Sequence, residues 1–465
     1  MTLEPRYNPQ VTPSLDDTIC SLATPPGVGG IGVIRISGPA AFAVADAVTR
    51  RPRSVPSASF AGHTLHRADV LAQDGSVIDD VLLAIFHAPR SYTGENVVEV
   101  SAHGGPVPLR RILSRLLTHG ARLAQPGEFT QRAFLNGKMD LAQAEAVGDI
   151  IAARTDEALA LARSQQSGRL SSEVAEIRHV ILGVMARIEA SIDFPEDVGE
   201  LDTDLCEREI QDAQARIARL LATADRGILV REGLKMVLAG RPNVGKSSLL
   251  NALLRVSRAI VTPIPGTTRD TLEESVNIRG IPVRAVDTAG VRDTDDLVEK
   301  LGVERSMESL RGADLVLLIL DAAVGETDED RALRAQLGST PHVIVWNKCD
   351  LQTPENAGPD DARVSASTGE GIEALEETIA HRALSGGVID TGSAGAVISH
   401  SRHRHALEAA QARLDDALAT LRGHMPADFI SIDVRGALLS LGEVTGETAT
   451  EDIIHEIFSR FCIGK

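Results

Sequence analysis

The apolar positions along this chain change rhythm three times. In the first third, short apolar runs are broken by turn-forming residues: "GIGVIRISG" (30–38), "VLLAIFHA" (81–88) and "NVVEVSAHGG" (96–105). A helix-like "PLRRILSRLLTHG" follows, and together they predict an α+β module ending near residue 135. From about residue 138 the chain is rich in Ala and Leu and poor in strand formers. Ile210, Ala213, Ile217, Leu220, Leu221 and Ala224 recur at helical spacing, and Gly227 fits a helix C-cap. Residues 138–230 therefore read as long helices. The rhythm then becomes continuous apolar runs separated by helical stretches: "LKMVLAG", "VRAVDTAG", "ADLVLLILDA", "HVIVWNKCD" and "ARVSAS". Strands that are apolar throughout suit a mostly parallel sheet covered on both faces. "LSGGVIDTGSAGA" (384–396) reads as a linker, after which helical character resumes.

Helices thus flank the α/β unit on both sides. One helical domain interrupted by an inserted α/β domain is the economical arrangement, because a domain's termini can lie close together. A separate C-terminal helical domain is the alternative. At 465 residues the chain is too long for a single core. No run approaches the ~18 to 20 apolar residues of a membrane helix, and the first residues lack a secretory pattern. Cys20, Cys206, Cys349 and Cys462 have neither metal-ligand nor disulfide spacing, so the expected location is cytoplasmic. A net charge of −18 argues against a surface given over to nucleic acid, while leaving room for a local basic patch. With 3% aromatic residues there are few platforms for stacking bases, so a partner would hold much of any RNA served.

"GRPNVGKSS" (240–248) supplies the chemistry. Gly240 through Asn243, Val244, Gly245, Lys246 and Ser247, with Ser248 following, matches G-x-x-x-x-G-K-[ST] between a predicted strand and a predicted helix. Backbone N–H groups and the helix N-terminus hold phosphate, Lys246 reaches the β- and γ-phosphates, and the Ser247 hydroxyl binds Mg²⁺. Asp287, Thr288, Ala289 and Gly290 end one strand, where a carboxylate meets Mg²⁺ through water and a glycine amide senses the γ-phosphate. Asn347, Lys348 and Asp350 end another, and a carboxylate there accepts two hydrogen bonds from guanine's N–H edge. Adenine would leave it unpaired. Ser365, Ala366 and Ser367 present an N–H to guanine's oxygen. Four elements in order on one sheet make the nucleotide GTP.

Between the first two elements lies "AIVTPIPGTTRD". Thr268 is the candidate second hydroxyl on Mg²⁺, with Thr267 the competing assignment. In Ras-like proteins a Gln after D-T-A-G orients the attacking water, but here Val291 stands in that place. Hydrolysis is then slow, or another group positions the water, supplied by the acidic stretch "RDTDDLVEK" or by a partner.

Several further blocks resemble the MnmE (TrmE) family of tRNA-modification GTPases: "TPPGVGGIGVIRISG" (24–38), "SYTGENVVEVSAHGGPV" (91–107), "PGEFTQRAFLNGKMDLAQAEAV" (126–147), "DFPED" (193–197), "GTTRD" (266–270) and "FCIGK" (461–465). The resemblance covers nearly the whole chain. It implies an α/β and α multi-domain protein: a tetrahydrofolate-binding, dimerising α+β domain (1–135), a discontinuous helical domain (136–231 and 385–465), and an inserted Ras-like P-loop GTPase domain (232–384). It implies a homodimer joined by an FAD-containing MnmG (GidA) partner as a heterotetramer, handling tRNA through that complex and no membrane. Together they add an aminomethyl-type (carboxymethylaminomethyl) group at C5 of the wobble uridine, with carbon from formyl- or methylene-tetrahydrofolate.

The same resemblance implies GTPase domains that pair around K⁺. By motif position the K⁺ ligand is Asn243, with carbonyls of Thr262, Ile264 and Thr267, leaving Thr268 for Mg²⁺; Pro263, Pro265 and Gly266 complete the loop. The water-orienting acid is Glu299. Pro263 and Pro265 depart from expectation by removing two N–H groups, though the carbonyls remain. Val28 stands where some relatives carry Arg. The folate residues carry over to Arg35, Glu99, Lys138 and Lys465, with Glu95 a nearby competitor for Glu99. Carboxylate suits a pterin's amino–imino edge, and cations suit a glutamate tail.

Cys462 admits a thiol role near the folate, but its sequence surroundings favour a small buried hydrophobe. "SHSRHRH" (399–405) reads as a helix start or an RNA-facing patch, and Trp346 as core. Two other classes compete: a ribosome-assembly GTPase, whose basic GxxG loop is missing from Gly392–Gly395, and a non-catalytic nucleotide switch, which Val291 would permit.

Overall fold

The computed structural model describes residues 16–51, 55–199, 201–256, 273–287, 312–338, 340–383 and 395–465. Compactness divides the chain into two units: Met1–Gly148 with Thr445–Lys465, and Asp149–Val444.

In the first unit the short apolar runs become strands of one seven-stranded sheet. These are β1 (Ile19–Leu22), β2 (Ile31–Ser37), β3 (Thr49–Arg50), β4 (Thr64–Leu71), β5 (Val77–Phe86), β6 (Val97–His103) and β7 (Arg122–Leu123), in the order β3-β4-β5-β6-β2-β1-β7. Alternation decides the faces. Ile34, Ile36, Leu83, Ile85, Val98 and Val100 point into a core capped by α1 (Ala41–Val48) and α2 (Pro106–Leu117). On the opposite face Ile31, Leu65 and Leu82 are exposed, and Arg35 stands directly opposite Glu99.

The terminal segment Thr445–Lys465 packs within this first unit. Phe458 is buried with Leu141 and Ala144, and its ring lies 6.4 Å from that of Phe134. Gly464, at φ +98°, lies so close to β1 that a Cβ would sit 2.2 Å from the Leu22 carbonyl. The tail needs glycine there.

In the second unit, α3 (Arg169–Asp193), α4 (Thr203–Leu221), α5 (Ser401–Arg422) and α6 (Ala427–Thr445) share a core that includes Ile177, Ile181, Ile210, Ile217, Leu414 and Val434. Gly227 is not a C-cap. α4 ends at Leu221, and Gly227 lies inside the next helix, Ala224–Glu232, where a Cβ would sit 2.0 Å from the Ile398 carbonyl. It is a crossing point between the chain entering the α/β part and the chain leaving it. Ile398 N–H also donates to Thr223 Oγ1 at 3.0 Å.

The α/β part holds β8 (Leu234–Ala239), β9 (Glu273–Ile278), β10 (Ile281–Asp287), β11 (Leu315–Asp321), β12 (His342–Asn347) and β13 (Ala362–Arg363), in the order β13-β12-β11-β8-β10-β9. All pairs are parallel except β9 with β10. Every residue of β11 is buried, as its unbroken apolar run demands.

Asp149 fastens the entering and leaving chains together. It accepts Arg231 Nε at 2.7 Å on one oxygen and lies 2.8 Å from His400 Nε2 on the other. Burial works to raise its pKa, but the hydrogen bond and charge of His400 and the Arg231 guanidinium overcome this and hold the carboxyl below its ordinary value. A carboxylate held low in the folded state contributes stability that is complete above its ordinary pKa and lost as pH falls through the folded value. Asp149→Ala should therefore cost about 3 kcal/mol at neutral pH by stranding two partners. The deficit should shrink below about pH 4, where the parent's carboxylate begins to protonate in the unfolded state. Urea unfolding of both proteins at neutral pH and at pH 3 checks this, and an equal deficit at both would contradict it.

Candidate functional site

The loop between β8 and α7 (Lys246–Val256) is built to expose backbone. Gly240 has φ +148° and Gly245 φ +95°, conformations that favour glycine. Space enforces the choice as well. A Cβ on Gly240 would sit 2.5 Å from the Ile319 carbonyl, and one on Gly245 would sit 2.3 Å from Asn347 Nδ2. Val244 is buried in the sheet's core and holds the loop down. Lys246 is buried, with Nζ donating to the carbonyls of Gly240 and Arg241 at 2.8 Å each. Ser247 and Ser248 lie in the first turn of α7, at the end whose N–H groups attract anions.

The elements expected to read the base meet this loop. Asn347 Nδ2 donates to the Val244 carbonyl at 2.9 Å, and its Oδ1 accepts Ala366 N–H at 3.0 Å. Lys348, at φ +65°, donates to the Asn243 carbonyl at 2.9 Å and to Asp321 Oδ2 at 2.6 Å. Asp350 is exposed, with Ser367 Oγ 3.4 Å from its carboxylate. Ser365 Oγ lies 3.0 Å from Ser367 Oγ. Asp287 ends β10 and pairs with Leu238 of β8. The structure thus brings together Asn243, Val244, Gly245, Lys246, Asn347, Lys348, Asp350, Ser365, Ala366 and Ser367. Thr262, Pro263, Ile264, Pro265, Gly266, Thr267, Thr268, Thr288, Ala289, Gly290 and Glu299 lie outside the described residues.

Sequence reasoning missed two supports. Asp321 tethers Lys348, and its signal was an acid ending an apolar strand. Asp361 accepts the indole N–H of buried Trp346 at 2.9 Å and the Gly358 N–H at 2.8 Å, steadying the loop between β12 and β13. Nothing in the local pattern marks Asp361.

The first unit holds a second cluster. Arg35 donates Nε and Nη2 to Glu99 Oε1 at 2.8 Å each, and its guanidinium carbon lies 5.1 Å from the Tyr92 ring centre and 5.5 Å from that of Phe129. Its third nitrogen, Nη1, is buried with no hydrogen-bond partner among the described residues. Burial, then the Arg35 charge, lower the Lys465 pKa against the opposing pull of Glu99. Glu95 is engaged elsewhere, accepting Ser37 Oγ at 2.6 Å and the buried Arg132 at 3.1 Å. Lys138 is exposed and donates to the Pro89 carbonyl at 3.0 Å rather than joining Arg35 and Glu99.

Cys462 corrects the buried reading: its side chain is exposed. The neighbouring Phe461 takes the packing role, with its ring 5.4 Å from that of Phe458. "SHSRHRH" starts α5 with His400 as N-cap, and both His400 and His403 are buried, so those two face no RNA. Among the described residues no helix is long and apolar enough to cross a membrane.

Residues 18–138 match the family model for the GTP-binding protein TrmE N-terminus, and residues 141–462 match that for the MnmE helical domain. The chain is 49% identical to the tRNA modification GTPase MnmE of Chloroflexus aurantiacus, over 97% of this chain and 100% of that one. It is 46% identical to the MnmE of Desulforamulus reducens over 97% and 100%, and 44% identical to that of Geobacillus kaustophilus over 97% and 99%. Two family models that span residues 18–138 and 141–462, and relatives of 44–49% identity over nearly the full length, lead to one conclusion: the chain belongs to the MnmE family of tRNA-modification GTPases, and it is a GTP hydrolase.

Proposed function

We propose that this GTPase takes part, with an FAD-containing partner of the MnmG type, in tetrahydrofolate-dependent addition of a carboxymethylaminomethyl group to C5 of the tRNA wobble uridine. The observation that carries the folate half is the buried Nη1 of Arg35, without a hydrogen-bond partner among the described residues, beside Glu99 in the unit that also holds Lys465. A buried donor left unpaired is costly, and a ligand acceptor removes that cost. Arg35 and Lys465 would meet the acidic tail, and Glu99 the amino–imino edge, of a folate whose one-carbon unit supplies the added methylene. Lys138, on the protein surface, fits a contact to the outer end of the tail. The exposed apolar residues Ile31, Leu65 and Leu82 on the open sheet face suit pairing of two such units in a homodimer.

Residues 232–384 form the GTPase domain on this reading, with 136–231 and 385–465 as the helical domain around it. Asn243, whose backbone has φ +65°, would be the K⁺ ligand of the phosphate loop. A potassium ion held there and by the 262–267 loop of a paired GTPase domain would offset charge developing on the phosphates. Glu299 would orient the attacking water in place of the missing glutamine.

GTP turnover by the protein alone, in K⁺ against Na⁺ at matched ionic strength, tests the potassium reading. K⁺ should stimulate turnover at least about tenfold, as expected when a transition-state charge is stabilised. Asn243→Ala should abolish that stimulation, and Glu299→Ala should impair turnover in either salt. Equal, slow turnover in both salts would withdraw the potassium reading and leave GTP binding and the folate reading standing.

A further inference from the structure

The phosphate loop has an anchor that its motif does not require. Arg241 occupies a position the motif leaves open, yet its Nε donates to both carboxylate oxygens of Asp330, at 3.0 and 3.1 Å. Asp330 lies in the first turn of a helix, Asp328–Leu337, and is fully buried. Its Oδ2 also accepts Thr327 N–H at 3.0 Å and Thr327 Oγ1 at 2.9 Å, while its own N–H donates back to that hydroxyl. The carboxylate thus closes a capping box and at the same time holds the loop's arginine. Its negative charge also sits at the positive end of the helix dipole.

The link continues to the nucleotide. The Arg241 carbonyl accepts Lys246 Nζ at 2.8 Å. Any shift of the Arg241 backbone therefore moves a contact of the lysine that reaches for phosphate. An exposed ion pair would matter little, but a pair with a fully buried partner fixed by three donors has one geometry.

We propose that Arg241 and Asp330 are a positioning pair that holds the phosphate loop in its binding form and thereby sets affinity for guanine nucleotides. The pair touches no phosphate and acts through the loop backbone. This inference rests only on the GTP site, and neither the folate nor the potassium reading bears on it.

A double-mutant cycle in the full chain tests it, with Arg241→Ala, Asp330→Asn and the combination. Each single variant should speed release of a fluorescent GDP analogue, and raise KM for GTP, about tenfold, with kcat at saturating GTP within about twofold of the parent. The double variant should be no worse than the weaker single. Arg241→Lys should recover part of the affinity, because an ammonium keeps the charge but not the guanidinium geometry. Additive losses in the double variant, or a lower melting temperature with unchanged release rate and KM, would overturn the proposal and reduce the pair to a helix staple. If Asp330→Asn does not fold, Arg241→Ala decides the matter at a position whose side chain is 22% exposed.

Discussion

Asp350→Asn should weaken GTP binding about a thousandfold and transfer preference to xanthosine triphosphate. Guanine offers two N–H donors on one edge, and a carboxylate accepts both. An asparagine keeps one acceptor and turns a donor toward the base. Losing one charge-assisted hydrogen bond and opposing another costs about 3–6 kcal/mol, which is two to four decades in affinity. Xanthine replaces the exocyclic amine with a carbonyl, so the asparagine N–H then meets an acceptor. The structure favours a clean result because the surrounding frame is fixed independently of Asp350. Asn347 is 2% exposed and pinned between Val244 and Ala366, and Lys348 is pinned between Asn243 and Asp321. Asp350 itself is exposed, and among the described residues its carboxylate meets only Ser367 Oγ, at 3.4 Å, so the substitution removes little that folding needs. The ratio of kcat/KM for the two nucleotides reads the switch directly. Unchanged discrimination would mean that another group reads the base.

The candidate nucleotide site was legible in the sequence, as far as the described residues carry it, because its pieces are local. A buried parallel strand announces itself as an apolar run, and the loop, Asn347–Asp350 and Ser365–Ser367 each sit at the end of one. Sheet topology then brings strand ends together without further information. What the sequence hid depends on contacts between distant positions. Arg35 and Glu99 are 64 residues apart and meet through the register of β2 on β6. Glu95 looks like an equal candidate until Arg132 and Ser37 are seen to occupy it. Gly227 has the composition of a cap, yet it serves a chain crossing at Ile398, which no helical periodicity reveals. Cys462 looks apolar enough to bury, but its side chain is exposed while Phe458 and Phe461 pack in the cluster with Leu141 and Ala144. The grouping of the last helix with the N-terminal unit was equally unreadable, because its partners Leu141 and Phe134 lie more than three hundred residues earlier.

On the folate proposal, Arg35→Ala should weaken binding of 5-formyl-tetrahydrofolate about a hundredfold while leaving folate-independent GTP turnover at the parent's level. The magnitude follows from the loss of a buried, charge-assisted donor, worth about 1.5–3 kcal/mol, together with the stranding of Glu99. Arg35→Lys should recover little of it, since an ammonium cannot serve Glu99 with two nitrogens and still offer a third to a ligand. Lys465 adds a signature in pH. Burial and the Arg35 charge lower its pKa in the protein alone, whereas an anionic ligand beside it would raise that pKa again. Binding would then take up a proton wherever the pH lies between the two values, so affinity should fall as pH rises through the lowered Lys465 value. Lys465→Met should flatten that limb and weaken binding at lower pH without altering GTP turnover. Titration calorimetry in two buffers of different ionisation enthalpy counts the proton taken up. Unaltered folate affinity in Arg35→Ala would sink the folate assignment, whereas weakened affinity with no proton uptake would keep Arg35 and remove Lys465 from the site.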